Sequence, residues 1–300
     1  MNATAKKTKN NTDLSNTKIS IILPTRLRPE KAKHFLFSLN KNCKNPNSVE
    51  IILCIDEDDK SYQDFEPIFT HTRIIKGKRC GLGAIIFAGI KNSTGEIIFI
   101  CNDDVSVETF GWDEEFRKVH NLFTDKIYLF SPNDLNKKES LFVFPGFSRK
   151  VFEILNDYPK HYDGAFMDNH LYEIFESLRF NGHDRKIFLN DIIFHHQHYK
   201  VTGEVPDQTY LDRNRFGDDF TFFSTAKMRS LDAKSLISFI ETGYKHQKQP
   251  IPSDSVTNSA IFYLFSSYLP VRSRLHTLLY MFSRCLYRIV TKQKSKIVKY

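Results

Sequence analysis

Short apolar runs alternate with amphipathic stretches along the chain, and most of the runs stop abruptly on polar residues. Residues 18–23 form a compact apolar run closed by Pro24, which predicts a buried strand leading into a loop. Behind the loop, Ala32, Phe35, Leu36 and Leu39 recur at helical spacing, and Pro29 suits the first turn of that helix. Residues 49–55 predict a second strand and 73–76 a short third, followed by a helix over about 84–92. Gly95 opens a fourth apolar run that ends on Asn102, Asp103 and Asp104. This order of strand, helix, strand, strand, helix, strand implies an α/β fold with a mostly parallel central sheet flanked by helices.

The second half continues less regularly. The pattern predicts a helix over 114–123, strands over 126–130 and 141–144, and a short helix over 148–156. A second amphipathic helix carries Leu171, Ile174, Phe175 and Leu178, with Asp168 at or just inside its start. Residues 187–194 predict a strand ending on His195, His196, Gln197 and His198. Residues 205–219 read as a mobile loop and the start of a helix, a segment of the kind that closes over sites.

The strand ends carry the chemistry. In an open α/β sheet the carboxyl ends of the strands open into the ligand crevice. Here that edge collects Thr25, Arg26, Asp56, Asp58, Asp103 and Asp104. Adjacent carboxylates repel unless a cation or a basic group lies between them, so a metal ion is a natural guest; a polar turn capping the next element would give the same residues. Arg26 and Arg28 could meet an anionic ligand or stand as solvated loop charges. On a strand, His196 and His198 would share one face and His195 the other, and either of the pair could complete a site begun by the aspartates. Gly81 and Gly83 are not a Walker loop, because no Gly-Lys-Ser/Thr follows.

Charge changes the picture at one end only. The net charge is +8, yet residues 255–300 contain no Asp or Glu and eight basic residues: Arg272, Arg274, Arg284, Arg288, Lys292, Lys294, Lys296 and Lys299. Without those eight, the 43 Lys and Arg fall to 35, matching the 35 Asp and Glu, so the body is neutral. No aromatic reader motif accompanies the basic tail, which argues against nucleic acid. Val271, Leu275, Leu278, Leu279, Phe282, Leu286 and Ile289 fall on one side of a helix, with Arg274, Arg284 and Arg288 on the other. That stripe suits an anionic membrane surface, or equally packing on the catalytic domain or on a second subunit as a homo-oligomer. Five cysteines without paired spacing point to a reducing compartment, and no apolar run approaches the ~20 residues that span a bilayer. Residues 1–17 are polar, lack an apolar signal region and are expected to be disordered.

The order of these pieces resembles a family. Ile-Ile-Leu-Pro-Thr-Arg on the first strand, Cys-Ile-Asp-Glu-Asp on the second, Thr94-Gly95-Glu96 leading into Asn102-Asp103-Asp104, Asp168 ahead of a helix and a late histidine are similar to the GT-A glycosyltransferases of the family 2 type. The resemblance covers about 18–225 and implies a GT-A (Rossmann-like) catalytic domain over 18–230. Residues 18–104 would be its nucleotide-binding half and 105–230 its acceptor half and lid, with 231–300 a basic helical extension. It implies a nucleotide-diphosphate sugar donor, a UDP-sugar first, and a divalent Mn2+ or Mg2+ ion. By resemblance, Pro24, Thr25, Arg26, Asp56 and Asp58 hold the nucleoside and Arg79 lies near the base or phosphates. Asn102 and Asp103 belong to the DxD motif, Asp104 is its metal end, and His196 or His198 serves the same metal. Asp168 matches the base that deprotonates the acceptor hydroxyl in inverting members. Asn102 departs from the motif, which expects an acid there.

The expectation is a cytoplasmic hexosyltransferase-type enzyme, peripheral on the inner membrane face, building a glycan or surface polysaccharide on a glycan or lipid-linked acceptor. Two rivals remain at this point: a metal-dependent hydrolase using the His195–His198 cluster with Asp191, and an inactive nucleotide-sugar-binding or membrane scaffold protein. Against the hydrolase, the histidines lack the i, i+4 helical spacing of a zincin.

Overall fold

The structure is a computed structural model of the 300-residue chain and describes residues 16–69, 71–156, 158–211, 218–244 and 254–291. Residues 1–15 of the expected N-terminal tail, and Lys292, Lys294, Lys296 and Lys299, lie outside the described residues. The strands are β1 (Ile19–Pro24), β2 (Val49–Asp56), β3 (Thr72–Gly77), β4 (Ile97–Ile100), β5 (Val105–Val107), β6 (Leu129–Asn133), β7 (Gly146–Ser148) and β8 (Lys186–His196). The first helices are α1 (Pro29–Lys41), α2 (Leu82–Lys91) and α3 (Trp112–Leu122). Beyond them come α4 (Arg149–Leu155), α5 (Met167–Phe180), α6 (Tyr199–Thr202), α7 (Gln208–Leu211), α8 (Asp218–Ser224), α9 (Ala226–Thr242), α10 (Val256–Phe265) and α11 (Val271–Thr291).

Among the described residues the strands join in one sheet of order β3-β2-β1-β4-β7-β6-β8-β5. The block β3-β2-β1-β4 is parallel, as the sequence pattern predicts; the apolar runs of β1, β2 and β4 are buried on both faces, and the edge strand β3 is part-exposed. Beyond β4 the sheet turns mixed: β7 is antiparallel to β4 and β6, β6 is parallel to β8, and β5 is antiparallel to β8. One core lies under α1 and α3, where Phe99, Trp112, Phe116, Phe130 and Phe194 pack ring against ring. The other lies under α2, α4, α5 and α9 and includes Ile86, Leu171, Phe175 and Leu236.

Three differences from the sequence pattern have physical reasons. Residues 141–144 form no strand; Phe142 and Phe144 are buried as side chains of a loop, and the pairing falls instead to β7, three residues long. Strand β5 follows Asp104 at once and is too short to show periodicity, yet it pairs with the end of β8. Helix α9 runs through residues 230 and 231, so the unit boundary expected there falls inside a helix whose Ala233 and Leu236 belong to the domain core.

The C-terminal helices are fastened by a buried polar network. The Arg229 guanidinium is fully buried and donates from Nε to Glu173 Oε1 at 2.7 Å, and it also donates to Phe222 O and Thr225 Oγ1. The hydroxyls of Tyr263 and Tyr268 donate to the same Glu173 carboxylate, so α9, α10 and the turn before α11 converge on α5. A buried ion pair holds geometry well when its donors and acceptors are used, and Arg229, Glu173 and Tyr263 each reach more than one partner here.

Candidate active site

The parallel block reverses its strand order beside β1, between β2 on one side and β4 on the other, and the candidate site lies at the carboxyl ends there. Thr25, just past β1, donates from Oγ1 to Asp103 Oδ2 at 2.6 Å and also meets the Tyr62 hydroxyl. That bond ties the ends of β1 and β4 across the crevice. Leu27 sits in the left-handed region at φ 56°, rare for a side chain of that size, and its amide donates to Asp59 Oδ2. On either side of this bend the two arginines reach different acids. Arg26 Nη1 donates to Asp56 Oδ2 and Asp58 Oδ1, both at 2.7 Å, whereas Arg28 donates to Asp103 from Nη1 and to Asp207 from Nε and Nη2. Burial lifts the Asp103 carboxyl to about 6, against the charge of Arg28 and the hydroxyl of Thr25.

Asp104 faces a different partner. Because β5 begins at the next residue and pairs with β8 in the register Val105↔His196, the fold sets His196 beside Asp104. Asp104 Oδ1 lies 3.4 Å from His196 Nε2, both are buried, and neither has a hydrogen-bond partner. Buried polar atoms are normally satisfied, so a carboxylate oxygen and an imidazole nitrogen left facing one small space form a donor pair suited to a divalent cation. Burial pushes the Asp104 carboxyl up, but His196, the Tyr210 hydroxyl and the charge of Arg28 outweigh it and hold the group well below the usual carboxylate range. Among the described residues no three His, Cys, Asp or Glu side chains gather around a common point. A two-residue site of this kind fits an ion whose remaining ligands are water and substrate phosphate oxygens.

Of the expected set Asp104, His196 and His198, the first two face each other directly. Strand β8 ends at His196, and His198 lies just beyond it with its ring centre 5.4 Å from that of His196. His198 caps α6, accepting from the Lys200 amide at Nδ1, and its ring packs on Tyr199 and Tyr210. His195 turns away to Glu108, 2.9 Å from Nδ1, and Asp191 is exposed and held by Asn190. The cluster needed for the hydrolase reading therefore does not assemble.

Sequence reasoning missed four contributors, three of them on or just before α7. The Tyr210 hydroxyl donates to Asp104 Oδ2, Asp207 receives Arg28, and Thr209 Oγ1 donates to Arg26 O at 2.9 Å. With the Arg28 guanidinium 4.4 Å from the Tyr210 ring centre, α7 lies directly against the acids. The only sequence signal was the polar character of 205–219. Tyr62, the partner of Thr25, gave none beyond being an aromatic in a polar stretch.

Asp168 stands on a separate element, in the first turn of α5, where its Oδ1 accepts from the Asn169 amide at 2.9 Å. Phe166, two residues earlier, is held at φ 66° with its ring on Phe222. The loop before it is pinned twice. The buried Asp218 carboxylate accepts from the amides of Asp163, Gly164 and Ala165 at 2.7–2.9 Å, and the amides of Leu82 and Gly83 donate to Asp163 O and Tyr162 O. A Cβ on Gly83 would stand 2.3 Å from Pro159 O, so this glycine serves close approach of the loop. Those two amides at the start of α2 are accordingly taken by protein carbonyls. Arg79, exposed after β3, bears by its charge on Asp56 and Asp58. Pro24 closes β1, and Asn102 is half-buried between β4 and Asp103.

Residues 20–121 match the family model described as Glycosyl transferase family 2. That span carries Thr25, Arg26, Asp56, Asp58, Asp103 and Asp104; Asp168 and His196 lie beyond it. Among solved structures, Staphylococcus aureus (S. aureus) TarS is similar at 12% identity and TM-score 0.51 over 89% of this chain and 43% of TarS. TarS 1-349 in complex with UDP is similar at 12% identity and TM-score 0.50, over 83% of this chain and 75% of that one. A mannosyltransferase from Pyrobaculum calidifontis in complex with GDP-Man and Mn2+ aligns at 13% identity and TM-score 0.49, over 91% of this chain and 75% of that one. The chain thus spans less than half of that TarS chain. No curated protein matches the sequence. The fold is a GT-A fold.

Proposed function

We propose that the chain is an inverting glycosyltransferase that moves a sugar from a nucleotide-diphosphate sugar to a hydroxyl of a glycan or lipid-linked acceptor, with a divalent cation assisting. The observation that carries this reading is the buried, mutually unsatisfied pair Asp104 Oδ1 and His196 Nε2 at the strand-end crevice. Asp104 and His196 would hold the cation, which when bound supplies positive charge to the diphosphate leaving group. Arg26 with Asp56 and Asp58, beside Thr25 and Pro24, forms a polar rim suited to a nucleoside, with Arg79, Asn102 and Asp103 next to it. Asp168 would take the proton from the acceptor hydroxyl. As that oxygen bonds to the anomeric carbon, the carbon's bond to the diphosphate oxygen breaks and its configuration inverts. Free thiols at Cys43, Cys54, Cys80, Cys101 and Cys285 suit a reducing, cytoplasmic setting.

Because TarS 1-349 binds UDP on this fold, UDP-sugars are the first donors to test, followed by GDP-sugars. Thermal shift with and without Mn2+ should show stabilisation by a donor that needs the metal. Asp168→Asn should then abolish transfer while keeping donor binding. Loss of both together would assign Asp168 a structural part, and no metal-dependent stabilisation by any donor would overturn the reading.

A further inference from the structure

An amphipathic helix packed on a domain normally buries its apolar stripe, but α11 turns Met281 and part of Leu278 inward and leaves most of its apolar side chains outside. Its polar side faces the protein: Arg284 Nε donates to Asp219 Oδ2 at 2.7 Å, the Arg288 guanidinium lies 4.2 Å from the Phe220 ring centre, and Arg274 donates to the carbonyls of Leu264 and Leu269. Most of the stripe is left outside. Leu279 is 69% exposed, Phe282 64% and Ile289 74%, and Phe265 at the end of α10 is 81% exposed. Isolated apolar residues on a surface need no explanation, but a continuous row along a 21-residue helix does.

We propose that α10 and α11 seat the protein on an anionic lipid surface, with the Leu279, Phe282 and Ile289 row in the headgroup boundary. Charge chooses this occupant over a second copy of the chain. Residues 255–300 contain eight basic residues and no acid, and Arg272 is exposed at the start of α11. Although Arg274, Arg284 and Arg288 are turned to the protein, two copies meeting through α11 would bring together two acid-free, net-basic segments, whereas an anionic leaflet complements them. Among the described residues no helix is long and apolar enough to cross a membrane, so the contact is one of lying on the surface. The seat is joined to the domain at α8, where Asp219 holds Arg284 and the adjacent Asp218 holds the loop ahead of Asp168.

The full chain should co-sediment with phosphatidylcholine vesicles containing phosphatidylglycerol, less so with phosphatidylcholine alone, and less as salt rises. The double variant Leu279→Glu/Phe282→Glu should lose at least about tenfold in partitioning with an unchanged Tm, since both side chains are exposed. Phe265→Asp, on the other helix, should weaken binding in the same direction. Partitioning that is equal on neutral vesicles, or unchanged in both variants, overturns the proposal. So does a lipid-free dimer, seen by light scattering, that Leu279→Glu/Phe282→Glu splits, because the face would then belong to a second copy.

Discussion

Asp104 and His196 meet at 3.4 Å, Oδ1 to Nε2, and both atoms are buried without a hydrogen-bond partner. They come from strands far apart in sequence, and the register that pairs Val105 with His196 brings them together. The second carboxylate oxygen of Asp104 is already used by the Tyr210 hydroxyl. One oxygen is therefore oriented and the other left facing the imidazole, which is how an outer hydrogen bond orients a metal ligand.

Removing the hydroxyl tests that orientation. Tyr210→Phe should keep the fold, because the ring still packs on His198, Tyr199 and Arg28. It should weaken Mn2+ affinity by about 10-fold, the lower end of what loss of an outer partner costs. Titration of the ion into wild type and variant, in the presence of UDP, measures the difference; equal affinities would mean that Tyr210 only packs.

Arg28 binds two acids from opposite sides of the crevice, Asp103 and Asp207. Arg28→Ala leaves Asp103 buried without its counter-charge and should cost on the order of 3 kcal/mol, read as a lower Tm. Arg28→Lys should recover only part of that. The guanidinium uses Nε and Nη2 on Asp207 and Nη1 on Asp103, a fork that an ammonium does not reproduce. Full recovery with lysine would show that charge alone matters.

Asp218 accepts three backbone amides of the loop ahead of Asp168. Asp218→Ala should destabilise the fold by about 2 to 4 kcal/mol through those unsatisfied donors. On the role proposed for Asp168, kcat in the surviving folded protein should fall more than donor KM rises. A fall confined to donor KM would contradict the placement.

At the opposite edge of the sheet, Glu50 carries a different test. It lies at the amino-terminal end of β2, accepts from Ser20 Oγ and from the Thr94 and Gly95 amides, and pairs with Lys18. Burial opposes its charge, but Lys18, Ser20 and Thr94 outweigh it and hold the carboxyl down at about 2. A depressed carboxyl stabilises the fold above its unfolded value and loses that contribution as pH falls from about 4.5 towards 2. Solvent screening at the half-exposed Lys18 keeps the contribution near about 2 kcal/mol. Glu50→Gln should flatten the fall in Tm over that window. An identical acid profile would assign the loss to other groups.

Much of the parallel block was legible in the sequence, because buried strands write themselves as uninterrupted apolar runs and their polar ends mark the crevice. Thr25, Asp103 and Asp104 were legible for that reason. What could not be read depends on contacts between distant segments. Strand β5, three residues long, has no period of its own, so nothing in the sequence chose His196 over His198. Arg28 was visible as a strand-end cation, but its partners Asp103 and Asp207 lie 75 and 179 residues away. The tail shows the same limit from another side. Its stripe was visible at 3.6-residue spacing, but which face turns inward was decided by Asp219, a residue outside the helix.

The central claim is that Asp104 and His196 form the protein side of a metal site completed by a nucleoside diphosphate. The most direct test is electron paramagnetic resonance of Mn2+ titrated into the protein with UDP present, for wild type, Asp104→Asn and His196→Ala. The account predicts UDP-dependent binding of one Mn2+ by wild type, weakened at least about 10-fold in each variant while Tm stays close to wild type. Binding that is equal in all three proteins, or absent from folded wild type with UDP and the other nucleoside diphosphates, would contradict it.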